Sequence, residues 1–127
     1  MSNAINTAVT GVAIITTADT SVNGENATTL VTGGSNGTFI FSVYIKAVSN
    51  TSEGMIRFFV EDSSGSTSVL IREQRVIAVE ASNTSPRYAK TVTFPGLYLQ
   101  AGYKFKVATV TSEAFNIVAN ASTVSYP

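Results

Sequence analysis

From Thr38 to Lys46 the chain alternates. Phe39, Phe41, Val43 and Ile45 fall on one side of an extended segment, and Thr38, Ser42, Tyr44 and Lys46 on the other, with Ile40 interrupting the polar side. A repeat of two belongs to a pleated strand and cannot form a helical stripe. The pattern predicts that Phe39, Phe41, Val43 and Ile45 face a core and that Ile40 and Tyr44 face outward. Met55 to Glu61 follows the same rule, with Ile56, Phe58 and Val60 inward.

The same reading extends along the chain. Val9–Thr17 and Thr28–Val31 are strands rich in Thr and Val, separated by a loop at 19–26. Gly33–Gly37 is a turn. Ser63-Ser64-Gly65-Ser66 is another turn, followed by Ser68–Glu73 and Arg75–Ala81 as two strands with a bend near Gln74. Arg87–Phe94 is a strand ended by Pro95-Gly96. Leu97–Leu99 is a short strand turned by Ala101-Gly102, and Tyr103–Thr111 and Phe115–Ala119 complete the series. No window holds helical spacing, and no repeat recurs at a solenoid or propeller period. About eight to ten short strands bounded by turn residues predict an all-β chain. The expected architecture is an antiparallel β-sandwich, jelly-roll-like. The 127 residues suit a single domain spanning 1–127, with 1–10 as a candidate N-terminal arm and a frayed terminus as the alternative.

Composition narrows the chemistry. The chain has no His and no Cys, so it lacks the usual neutral-pH proton shuttle, thiolate metal ligands and disulfides. A Ser-His-Asp site cannot be built. The Gly33–Gly37 run leads into a strand, not into the Lys and helix that a phosphate-cradling loop requires. Glu61 with Glu73 or Glu80 is the one carboxylate pairing worth considering for glycoside hydrolysis, and solvated strand ends are the preferred reading of it. Enzymatic activity and a cofactor are therefore not expected. Eight basic and eight acidic residues cancel, which is unlike the basic footprint of a nucleic-acid binder. No segment reaches the roughly 20 apolar residues of a membrane-spanning helix, and the N-terminus lacks the basic and apolar regions of a signal peptide.

Charged residues make up 13% of the chain, about half the usual ~25%. Ser, Thr and Asn supply the polarity instead. Such a surface suits a protein partly covered in an assembly, although a β-rich domain that simply uses hydroxyls would look the same. Tyr is common at protein contacts because its ring is apolar and its tip polar. Tyr44 beside Ile40, together with Tyr98 and Tyr103, is the candidate subunit contact, with scattered surface aromatics as the alternative. Lys104 and Lys106 share a strand face, with Arg87 and Lys90 on the strand before. They are read either as a basic patch for an acidic partner or as guards against stray edge pairing.

Leu97-Tyr98-Leu99-Gln100-Ala101-Gly102-Tyr103-Lys104-Phe105-Lys106-Val107, then Ser112–Ala119, and the strand Thr38–Thr51 resemble small β-sandwich virion proteins of tailed bacteriophages. In those proteins a short apolar strand leads through Ala-Gly into a second strand, then a small-polar turn and a last apolar strand. This sequence departs from them at Tyr103, where Asp is usual. The resemblance, over about residues 37–124, implies a non-enzymatic structural protein located in the virion, an auxiliary or decoration subunit of the capsid or a tail component. The expected form is a homo-oligomer, with a trimer favoured, built around the Tyr44 and Ile40 face and contacting the major capsid or other virion proteins. The alternative is a carbohydrate- or receptor-binding module, with its contacts in loops such as 19–26 or 83–87.

Overall fold

The computed structural model describes residues 5–126. Its strands are β1 (Ile5–Ile15), β2 (Thr28–Thr32), β3 (Thr38–Ala47), β4 (Gly54–Glu61), β5 (Ser68–Val76), β6 (Ala89–Leu99), β7 (Lys104–Thr109) and β8 (Phe115–Ser125). They form two four-stranded antiparallel sheets: a front sheet ordered β1-β8-β3-β6 and a back sheet ordered β2-β7-β4-β5. The chain changes sheet at every connection except β4 to β5. That interleaving is jelly-roll topology, so the all-β antiparallel sandwich expected from the pattern is what the chain forms.

Period-two strands bury one face each, and here the two inner faces meet. Phe58 of β4 stacks on Phe105 of β7 with ring centroids 5.7 Å apart. Phe94 of β6 meets both edge-on at 5.1 and 5.2 Å. Ile45, Val43, Ile56, Leu99, Val107, Phe115 and Ile117 fill the space around them, all fully buried. Edge-to-face ring pairs add about 0.5–1.5 kcal/mol each beyond the area they bury.

Strand β3 corrects the first expectation. Ile40 pairs with Ala121 of β8 and Ser42 with Asn120, so Phe41 is an extra residue in β3. Opposite the same point on β6, Ile40 pairs with Leu97 and Ser42 with Thr93, leaving Phe94-Pro95-Gly96 between them. Such a bulge exchanges inward and outward sides along everything before it. Phe39 and Phe41, expected in the core, are therefore exposed, and Ile40, expected outside, is 1% exposed within the core. Gly96 takes φ +76°, which lets β6 turn at the bulge. Pro95 costs no ladder bond because β6 is an edge strand that pairs only with β3.

Three other boundaries differ from the pattern. Leu97–Leu99 continues β6 through the bulge and is not a separate strand. The two strands expected over 68–81 are one, ending at Val76, after which Val79 makes a single bridge to Thr51. The segment expected as an arm belongs to β1 from Ile5, where Ile5–Thr10 pairs with Ser125–Asn120 of β8. Residues 1–4 of that segment lie outside the described residues.

Candidate functional site

The two sheets treat their outer faces differently, and the loop between β1 and β2 is the cause. It is pinned where the Asp19 amide donates to the Thr109 carbonyl at 2.8 Å. The Asp19 carboxylate, 5% exposed, accepts from the Ser21 amide and hydroxyl and from the Asn26 amide at 2.7–3.1 Å. Burial works to raise its pKa. The bonds from Ser21 and Asn26, aided by the Arg57 charge, outweigh that and hold it below the ordinary aspartate value. Arg57 of β4 in turn donates to the Thr20 carbonyl at 3.1 Å and pairs with Glu73 at 3.0 Å.

The loop so held lies across the back sheet. Phe59 is an outward residue of β4, since its neighbours Phe58 and Val60 face or border the core, yet it is fully buried. Gly24 sits on it: a Cβ there would meet the Phe59 ring at 2.9 Å, and the backbone φ is +71°. Beside Phe59, Lys106 is 9% exposed and pairs with Glu61 at 3.3 Å, while Lys104 approaches Glu61 at 3.7 Å. The back face is thus a closed arrangement of loop, aromatic ring and ion pairs.

Nothing in the described chain covers the front face. Its outward residues form rows across four strands. Ile14, Asn116, Lys46 and Ala89 make one row; Val12, Val118, Tyr44 and Thr91 the next. Thr10, Asn120, Ser42 and Thr93 follow, then Ala8, Ser122, Phe39 and Tyr98. Phe41 bulges out between the last two rows. Val12 is 71% exposed, Phe41 55% and Tyr44 42%, and Ile14, Phe39 and Tyr98 are exposed too. The Phe39 and Tyr98 rings pack together at 5.0 Å. Among the described residues, Lys46 is the one charged side chain in these rows. The row of Thr10, Asn120, Ser42 and Thr93 is polar and divides the exposed apolar side chains into a Val12, Ile14 and Tyr44 group and a Phe39, Phe41 and Tyr98 group, a face with large apolar side chains and little charge.

The residues singled out from sequence divide accordingly. Tyr44 and Tyr98 share the front face. Ile40 lies beneath it in the core, so the outward Ile40–Tyr44 pair does not exist. Tyr103 is half-buried at the β6–β7 turn, packed against the core. Lys104 and Lys106 are on the back sheet with Glu61, whereas Arg87 and Lys90 lead into and lie on β6 of the front sheet. The four do not form one basic patch. The cations with no carboxylate within 4.0 Å among the described residues are Lys46, Arg72, Arg87 and Lys90. Arg72 of β5, with Ile71 and Leu97, and Arg87 before β6 and Lys90 of β6, with Ile77, line two grooves along the seam where the edges of the two sheets run side by side.

Glu61 and Glu73, the carboxylates weighed for catalysis, are each taken up by a separate cation, Lys106 and Arg57. The Asp62 carboxylate accepts from the Ser66 and Thr67 amides and from the Ser64 and Ser66 hydroxyls, which shapes the β4–β5 turn. Sequence reasoning missed Val12, Ile14, Phe39 and Phe41 as front-face residues. For Val12 and Ile14 the signal was present, because they alternate with Gly11, Ala13 and Ile15.

No protein-family model matches the chain, and no curated protein matches it. A solved structure with a similar course is that of the CBM22-1 and GH10 modules of the N-terminal endo-1,4-β-D-xylanase 10B of Clostridium thermocellum, complexed with xylohexaose. The likeness is 12% in sequence with a TM-score of 0.42, over 90% of this chain and 26% of that one. The chain therefore spans about a quarter of that structure's length.

Proposed function

We propose that the chain is a non-enzymatic structural subunit that works by joining surfaces, an auxiliary or decoration protein of a phage capsid. The observation that carries the joining role is the front face: Val12, Ile14, Phe39, Phe41, Tyr44 and Tyr98 exposed together with one charge in the rows around them. Covering such a face releases water from apolar surface, worth about 25 cal/mol per Å² before the costs of association are subtracted. The placement in a virion rests on the resemblance of Thr38–Thr51 and Leu97–Ala119 to phage virion proteins.

A decoration subunit needs a symmetric contact with its own copies and a second contact with the shell. The front face suits the first. The seam with Arg72, Arg87 and Lys90 suits the second, against an acidic shell surface, because these cations are exposed and unpaired among the described residues. The test is cosedimentation of the purified chain with empty shells of the virus that encodes it. Saturable binding, weakened by charge reversal at Arg72 and Lys90, is expected; no binding at micromolar concentrations contradicts the reading.

One observation favours a second reading. The exposed Tyr44 ring is flanked on the same face by Asn116, Asn120, Thr91 and Thr93, an aromatic platform beside hydrogen-bonding groups of the kind a sugar uses. A glycan array separates the two. Selective binding of one sugar class, lost in Tyr44→Ala, supports a carbohydrate-binding module.

A further inference from the structure

The front face is not evenly rough. Strand β3 carries its bulk, with Phe39, Phe41, Tyr44 and Lys46 standing outward in a line. Its neighbour β8 presents Asn116, Val118, Asn120 and Ser122, a trough of smaller side chains at the same heights. From this ridge and trough we infer that the face closes on a second copy of the chain through a two-fold axis parallel to the strands, running between β3 and β8. This rests on the joining role proposed above and names its partner.

The axis keeps each row at its own height and exchanges β3 with β8 and β6 with β1. Tyr44 then lies over Val118 of the copy, Phe39 over Ser122, and Tyr98 over Ala8. Every large ring meets a smaller residue, and the bulged Phe41 faces the gap between Asn120 and Ser122. A two-fold axis across the strands would instead set β3 on β3, ridge against ridge. Lys46, whose ammonium donates to the Arg87 carbonyl of its own chain at 3.3 Å, lies over Asn116 of the copy and one strand spacing, ~4.8 Å, to the side of its own image, so charge weakens the contact and a carboxylate at position 116 relieves it. Two aligned sheets packed about 10 Å apart are an ordinary sandwich arrangement. Four strands at ~4.8 Å and four rows at ~6.6 Å frame roughly 19 by 26 Å. Two copies then bury on the order of 1,000 Å², at the weak end of specific contacts, so micromolar or weaker dissociation is expected.

Sedimentation equilibrium on the whole chain tests the geometry through Asn116, which is exposed, so exchanging it leaves the fold intact by circular dichroism. Asn116→Asp sets a carboxylate over Lys46 of the copy and is expected to tighten the dimer roughly fivefold at low salt, with the gain lost in ~1 M NaCl. Asn116→Lys is expected to loosen it by a similar factor, and adding Lys46→Glu to Asn116→Lys to restore it. A monomer at all concentrations, a trimer, or a dimer indifferent to the sign at position 116 overturns the inference. A chain that decorates shells as a monomer or trimer sinks this dimer and leaves the structural role standing; a dimer that ignores shells does the reverse.

Discussion

The front and back sheets have the same strand number and the same inward packing, yet one outer face is closed and the other open. On the back sheet the 12 residues between β1 and β2 fold over Phe59, held by the Asp19 carboxylate and the Arg57 guanidinium. The front sheet has a more aromatic outer face, with Phe39, Phe41, Tyr44 and Tyr98, and the described chain offers it no cover. Charge follows the same division. Arg57, Glu61, Glu73, Lys104 and Lys106 pair on the back sheet, while Lys46 stands alone on the front rows. The contrast separates one outer ring, Phe59, that the fold buries under a loop from four outer rings that the described chain leaves exposed.

The sharpest way to break the comparison is to remove one ring from each face. Phe59→Ala empties a fully buried site under the loop and is expected to cost about 3–5 kcal/mol in chemical denaturation. Phe41→Ala removes a ring that is 55% exposed, and in dilute solution is expected to change stability by no more than about 0.5 kcal/mol. Equal losses at the two sites would erase the distinction. Next comes Gly24→Ala, which drives a methyl into the Phe59 ring at a backbone angle of +71°. A loss of about 1–3 kcal/mol is expected, together with faster amide exchange across residues 16–27.

Acid should act on the back face alone. The Asp19 carboxylate has a folded pKa below its unfolded value of about 3.8. Its contribution is therefore complete above that unfolded value and is lost as pH falls through the folded one. Hydrogen exchange measured from pH 5 down to pH 2.5 is expected to show the loop loosening over Phe59 while β3 and β8 keep their protection. Asp19→Asn should abolish that pH dependence and cost about 1–2 kcal/mol at neutral pH. Loosening of both faces in parallel would count against a loop-specific latch.

Much of the fold was legible because it depends on periodicity. Alternation in β3, β4 and β7 and turn residues between them were enough for an all-β sandwich. What periodicity could not show was the bulge. Phe39, Ile40 and Phe41 are all apolar, so the sequence of β3 is compatible with either side facing inward. The deciding feature, Phe94-Pro95-Gly96 on β6, lies more than fifty residues away and reads locally as a strand end. Tyr44 could be placed outward because Val43 and Ile45 flank it beyond the bulge. Ile40 could not, because it precedes it. The Lys104–Lys106 patch failed for a related reason: strands adjacent in sequence, β6 and β7, lie in different sheets. The loop over Phe59 was illegible because Gly24 meets a ring on β4, 35 residues downstream, and Asp19 is pinned to Thr109 of β7, 90 residues downstream.

The most direct measurement is oxidative footprinting of the whole chain as its concentration rises from nanomolar to high micromolar. Front-face burial requires that Phe39, Phe41, Tyr44 and Tyr98 lose reactivity together, with Val69 and Ile71 on β5 unchanged. Constant reactivity at Tyr44 and Phe41, or protection confined to β5, would contradict a front face made for contact.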